Sequence, residues 1–245
     1  MSQDYLFLCG CARSGTSALW RLLSANKSIV IGLERYINKC TNPFELSPEL
    51  YLKDRFYDLQ DGDTHFKSLE KGGSGTYYTN IKDRFDKAKF VGDKIPRLFK
   101  FYNQLFDRFP STKIIFIYRN IFDVAQSFNN RFQNSEDNWN RDYKVAIKEW
   151  NISLQNTHTQ IKKTPENIML IAYEELFFNK YDFSKIYSFL GLTPDNSIET
   201  RFDILSKKAQ ELESKRQVQL SSLQKQEICE SADFATYNLL KSFNQ

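Results

Sequence analysis

The stretch Asp4-Tyr-Leu-Phe-Leu-Cys9, Gly10-Cys-Ala-Arg-Ser-Gly15, Thr16-Ser-Ala-Leu-Trp-Arg-Leu-Leu-Ser-Ala-Asn26 carries an apolar run, a glycine-bounded loop and an amphipathic segment in succession. Its first six residues are a short apolar run ending at glycine, which reads as a buried strand. The last eleven place Leu19, Leu22 and Leu23 on one face of a helix. Ser28 to Ile31 is a second short strand, ending at Gly32. Strand, tight loop, helix and strand make a βαβ unit, and that unit implies a parallel sheet. The loop between strand and helix favours anions. First-turn N–H groups lack intrahelical acceptors, the helix dipole adds partial positive charge, and glycines let a phosphate approach the backbone.

Lys89-Phe-Val-Gly92 is a third strand, Lys113-Ile-Ile-Phe-Ile-Tyr118 a fourth, and Asn167-Ile-Met-Leu-Ile171 a fifth. The fourth is continuously apolar and belongs at the sheet centre, covered on both faces. Helices are expected over Leu98–Phe109, Ile121–Arg131 and Tyr143–Lys163, and through most of the chain after Tyr173. The first two strands are expected to be neighbours. Residues 36–87 are polar, aromatic and poorly periodic. They read as a variable insertion in one domain spanning 1–245, with a flexible loop at Lys71-Gly-Gly-Ser-Gly-Thr76. Its aromatics, Tyr36, Phe44, Tyr51, Phe56, Tyr57, Tyr77 and Tyr78, either pack a core or line a pocket. The expected fold class is therefore α/β, a single P-loop-like domain with a parallel sheet of about five strands flanked by helices.

Composition sets the outer bounds. The chain has 245 residues, 34 basic and 30 acidic side chains, and a net charge of +4. A domain of this size buries roughly three-quarters of its unfolded surface and needs no disulfide or metal staple. The hydrophobic fraction of 41% excludes a disordered chain. The mild charge calls for no nucleic acid but allows a local anion site. No apolar run approaches the ~20 residues of a membrane span, and the start lacks the pattern of a secretory signal. Cys9, Cys11, Cys40 and Cys229 have no C-x-x-C spacing, and His65 and His158 are the only histidines. This predicts reduced thiols, a cytoplasmic location and no metal site. The oligomeric state is not legible.

The loop Gly10 to Gly15 matches the G-x-x-x-x-G of an NTPase P-loop, but Thr16 and Ser17 follow where Lys and Ser/Thr are required. Arg13 supplies the cation instead. The fourth strand ends in Tyr118-Arg119, a base where an acid would hold magnesium. Arg119 leaves the C-terminal edge of a parallel strand, where α/β sheets bind ligands. Its guanidinium suits a bidentate phosphate contact. Ser127, two helical turns on, reaches towards the same group.

The segment Cys11-Ala-Arg13-Ser14-Gly15-Thr16-Ser17 resembles the phosphosulfate-binding loop of sulfotransferases that use 3′-phosphoadenylyl sulfate (PAPS), with Ala12 in place of a common proline. The pattern is similar to that of the tyrosylprotein-type and bacterial members. Arg119 with Ser127 resembles their 3′-phosphate motif. Glu34 stands where they place a catalytic glutamate, Lys94 of Lys94-Ile-Pro96 resembles their K-x-P lysine, and Tyr173 of Tyr173-Glu-Glu-Leu176 resembles a tyrosine beside the nucleotide. Lys215 and Arg216 resemble a late basic loop that closes over the 3′-phosphate. The resemblance implies sulfuryl transfer from PAPS to a hydroxyl acceptor with release of PAP and no metal requirement. Arg13, Ser14, Gly15, Thr16 and Ser17 would hold the 5′ end, Glu34 would act as base, and Lys94 would stabilise charge. His65 is a second candidate base, and His158 reads as structural. The acceptor class stays open among small molecules, carbohydrates, lipids and peptides. A P-loop kinase or NTPase and a non-catalytic nucleotide-binding module are the alternative readings.

Overall fold

The computed structural model describes residues 3–58, 60, 62–63, 81–214 and 219–243. Five strands form one sheet: β1 (Asp4–Cys9), β2 (Ile29–Leu33), β3 (Phe90–Lys94), β4 (Lys113–Tyr118) and β5 (Ile168–Ala172). Every pairing is parallel, in the order β2-β3-β1-β4-β5. Among the described residues the helices are α1 (Thr16–Leu23), α2 (Lys53–Tyr57), α3 (Tyr102–Arg108), α4 (Ile121–Phe132), α5 (Tyr143–Ile161), α6 (Tyr173–Phe178), α7 (Ser184–Leu190), α8 (Ser197–Ser214), α9 (Ser222–Ser231) and α10 (Phe234–Ser242).

Alternation along the strands assigns the two layers. Phe7, Cys9, Val30, Val91, Ile114, Phe116 and Tyr118 face α4 and α5. Leu6, Leu8, Ile29, Ile31, Phe90, Ile115, Ile117 and Ile171 face α1, α6, α7 and α8. Both faces are covered, which is why β1 and β4 are apolar at consecutive positions.

The strand order corrects one expectation: β3 lies between β1 and β2. A crossover through α1 is long enough to step over one strand, so β1 and β2 sit two strand spacings apart, roughly 10 Å. From β3 the chain crosses β1 to reach β4. It therefore leaves to opposite sides of β1, and the C-terminal ends of β1, β3 and β4 open at this switch point. Leu8 pairs with Lys94, and Lys94 with Leu33, so the three strand ends finish level.

Two further expectations change in detail. The helix after β3 begins as a 3-10 segment, Pro96–Phe101, and becomes α-helical only at Tyr102. The aromatic insertion packs as core among its described residues. Tyr36 meets Tyr51 edge-on at 5.4 Å, and Tyr51 meets Phe7 of β1 at 5.5 Å and Phe109 at 5.9 Å. These rings cover the sheet together with Leu46, Leu50 and Ile81 of the same insertion. Tyr77, Tyr78 and His65 lie outside the described residues. No described helix is long and apolar enough to cross a membrane.

Candidate active site

The loop after β1 is held by its backbone. Gly10 N–H donates to the carbonyl of Pro96 at 3.0 Å, and Ser14 N–H to that of Cys11 at 3.1 Å. Arg13 sits at φ 71°, a left-handed conformation uncommon for a side-chain-bearing residue. Gly15 caps α1 at φ 98°, and a Cβ there would lie 2.4 Å from Cδ2 of Tyr173. Glycine is thus required for both the turn and the close approach. The first turn of α1 contains no acidic residue. Its Thr16 and Ser17 amides meet the cleft with the positive end of the helix dipole.

The cleft at the switch point has a volume of about 610 Å³. Arg13, Gly15, Thr16, Ser17, Glu34, Arg119, Ser127 and Tyr173 all line it. Among the described residues that line it are six arginines, Arg13, Arg21, Arg97, Arg119, Arg131 and Arg141, and one carboxylate, Glu34, while Asp123, Asp137 and Glu149 ion-pair with four of those arginines from outside the lining. Arg13 Nε donates to Ser127 Oγ at 2.9 Å, which joins the loop after β1 to helix α4. The walls around Arg13 exclude enough water to lower its guanidinium pKa, and the charges of Arg131 and Arg119 lower it further. The site is therefore short of negative charge.

Arg119 is 8% exposed. Its guanidinium carbon lies 4.0 Å from the centre of the Tyr173 ring, and Nε is 3.5 Å from Asp123. Trp150 Nε1 donates to its carbonyl at 2.8 Å. Tyr173 thus supports Arg119 on one side and meets Gly15 on the other. Ser14 does not line the cleft. It is fully buried, and its Oγ has no hydrogen-bond partner among the described residues.

Glu34 follows β2 at φ 56°. Its N–H donates to the Lys94 carbonyl at 2.9 Å, and its carboxylate is ion-paired with the Lys94 ammonium. Lys94 is 1% exposed, so Glu34 stands between it and the cleft. Arg35 does not enter the cleft. It is fully buried, with Nη1 2.7 Å from Asp63 and Nε donating to the Phe56 carbonyl. Its charge therefore faces the insertion rather than Glu34. His158 lies on α5 with its ring 6.1 Å from Phe243, away from the cleft. Lys215 and Arg216 lie outside the described residues.

Sequence reasoning missed Asp93. It is fully buried, and its two oxygens accept from the backbone N–H groups of Arg35 at 3.1 Å and Tyr36 at 2.9 Å. Those contacts fix the turn on which Glu34 sits. Burial is the main reason its carboxyl is raised to about 7, against the pull of the two amides and Lys94. Its position beside Lys94 in the quoted motif was the available signal. Arg131 was legible as the helical i+4 neighbour of Ser127. Arg141, in the polar segment before α5, left no signal.

A model of the sulfotransferase family matches residues 5–196. No curated protein sequence matches the chain. Among solved structures, the sulfotransferase domain from the Synechococcus PCC 7002 olefin synthase superposes with a TM-score of 0.59 at 16% identity, over 100% of this chain and 95% of that one. The sulfotransferase domain from the curacin biosynthetic pathway gives 0.52 at 18% identity, over 82% of this chain and 78% of that one. These likenesses bear on the fold, and the family match over most of the sequence agrees with the two motifs that meet in the cleft: the chain belongs to the sulfotransferase family.

Proposed function

We propose that the cleft binds PAPS and that the enzyme moves its sulfuryl group to a hydroxyl acceptor, releasing PAP. The observation that carries this reading is the Arg13–Ser127 hydrogen bond, which brings both anion-binding motifs into one arginine-rich cleft. The donor set fits a polyanionic nucleotide: guanidinium groups, a hydroxyl and first-turn amides, with one facing carboxylate.

PAPS, when bound, supplies an already activated sulfuryl group. Arg13 with the amides of Gly15, Thr16 and Ser17 holds its 5′ end, while the Ser14 N–H is already taken by the Cys11 carbonyl. Arg119 and Ser127 hold the 3′-phosphate, with Tyr173 keeping Arg119 in place. Lys215 and Arg216 remain the basic segment proposed to close over that phosphate. Glu34 receives the acceptor proton as the acceptor oxygen bonds to sulfur and the bond from sulfur to the 5′-phosphate oxygen breaks. Once the acceptor proton has neutralised Glu34 and loosened its ion pair, the Lys94 ammonium stabilises negative charge on that bridging oxygen or on the transferring group. The two-strand separation between the Arg13 loop and Glu34 leaves room for the acceptor hydroxyl.

Calorimetric titration with PAP tests the donor. Arg119→Ala should weaken binding by roughly 1.5–3 kcal/mol through loss of a charge-assisted contact. An unchanged dissociation constant removes the 3′-phosphate site. A stronger thermal shift with magnesium-ATP than with PAP would favour the kinase reading.

A further inference from the structure

We propose that the acceptor of this reaction carries an anionic group beside its hydroxyl, and that Arg97 and Arg141 receive it. The inference rests on the sulfotransfer reading above and adds the chemical class of the acceptor.

The arginines of the cleft are unequally committed. Arg13 and Arg119 belong to the two nucleotide motifs. Arg131 is committed to Asp137 through contacts of 2.5 and 2.7 Å, and its guanidinium lies 4.2 Å from the Trp139 ring centre. Arg97 and Arg141 are different. They share one carboxylate, Glu149 of α5: Arg97 Nη2 is 2.8 Å from Oε1, and Arg141 pairs with Oε2. Two guanidinium groups around one carboxylate leave a net positive charge on the wall. Each guanidinium has five N–H donors, and the ion pair with Glu149 accounts for a minority of them.

The pair is also built to hold its position. The Glu149 side chain is only 9% exposed, and Arg141 lies 4.7 Å from the Trp139 ring centre and 5.0 Å from that of Phe128. Burial lowers the Arg141 pKa, and the Arg97 charge is among the further causes. Such a site gains from an incoming anion more than a solvated arginine would.

Placement assigns the anion to the acceptor rather than the donor. Arg97 follows Pro96 and Lys94 directly at the end of β3, the strand that carries the Glu34–Lys94 pair. Pro96, Arg97 and Ile37 line the cleft together with Glu34. Arg97 thus sits at the proton-accepting end, and the shared Glu149 ties Arg141 to it, while Arg141 also packs on Phe128, next to Ser127. A neutral acceptor would cover this charge without balancing it, at a cost in desolvation.

The test uses the full chain saturated with PAP, and acetate, inorganic phosphate and inorganic sulfate as separate probes at matched ionic strength. A second anion should bind about tenfold more tightly than chloride, and Arg97→Gln or Arg141→Gln should weaken it about fivefold or more. PAP affinity should stay within about twofold in both variants. Arg97→Gln guards against misfolding, because the Arg97 side chain is half-exposed and its loss leaves Glu149 paired with Arg141. The three probes separate a carboxylate-bearing acceptor from a phosphorylated or sulfated one. Absence of a second anion site overturns the inference. So does a loss of PAP affinity in the variants, which would assign both arginines to the donor. If the wild-type chain binds no PAP, the reading of the donor fails instead, and that result is distinct from both.

Discussion

Arg13 Nε donates to Ser127 Oγ at 2.9 Å, across a sequence separation of 114 residues. The bond orients a guanidinium from a left-handed loop position by means of a hydroxyl two turns into α4. Positive neighbours Arg131 and Arg119 push against Arg13, so the hydroxyl keeps its planar face directed while its charge awaits an anion. The 5′ and 3′ halves of the proposed nucleotide site are mechanically one unit.

That unit makes a quantitative expectation. Arg13→Ala and Ser127→Ala should each weaken PAP binding, and their effects should be non-additive by about 0.5–1.5 kcal/mol. A double-mutant cycle by calorimetry reads this directly. Strict additivity would mean the two residues act on PAP independently.

Gly15→Ala is expected to damage both folding and binding. At φ 98° the backbone is strained for alanine, by about 1–3 kcal/mol. The new Cβ would also press on the Tyr173 ring at 2.4 Å, and that ring supports Arg119. Urea unfolding and PAP titration should both shift, whereas Ser17→Ala, in the first turn of α1, should leave stability nearly unchanged. Normal stability for Gly15→Ala would show that the ring moves aside freely.

The sheet was legible because its strands are short apolar runs, each ended by glycine or a polar residue. The pairing order was not, because parallel strands joined by long crossovers carry no local record of their neighbours. The anion loop and Arg119 could be read from spacing, since each sits at a strand–helix junction whose physics is local. Glu34 and Lys94 were legible separately but their ion pair was not, as it depends on β2 lying against β3. Asp93 was hidden for a different reason. A carboxylate that serves two backbone amides looks in sequence like any charged residue beside a lysine.

Glu34→Gln keeps size and can still accept from Lys94, but it cannot take a proton. If Glu34 is the base, turnover should fall by about 10²–10⁴-fold with PAP affinity nearly intact. Lys94→Ala should also lower kcat, and it leaves Glu34 without its buried partner, so stability should fall as well. Sulfate transfer from labelled PAPS over a pH series is the measurement. Near-normal turnover by Glu34→Gln on its true acceptor would remove the assignment and move attention to His65.

Asp93 gives a pH signature in stability. Burial raises its folded pKa to about 7, whereas an unfolded aspartate titrates near 3.9. Between those values the folded chain holds a proton that the unfolded chain has released. The folded state thus binds more protons, so this group's contribution is complete below about pH 4 and declines as pH rises towards 7. The slope approaches at most about 1.4 kcal/mol per pH unit. Asp93→Asn removes the titration, and one of its polar atoms becomes a donor facing a backbone N–H, which costs about 1–3 kcal/mol at every pH. The wild-type advantage over Asp93→Asn in urea unfolding should therefore be larger near pH 5 than near pH 7.5. A difference that stays flat, or grows with pH, would mean that the two amides and Lys94 outweigh burial and hold Asp93 ionised throughout.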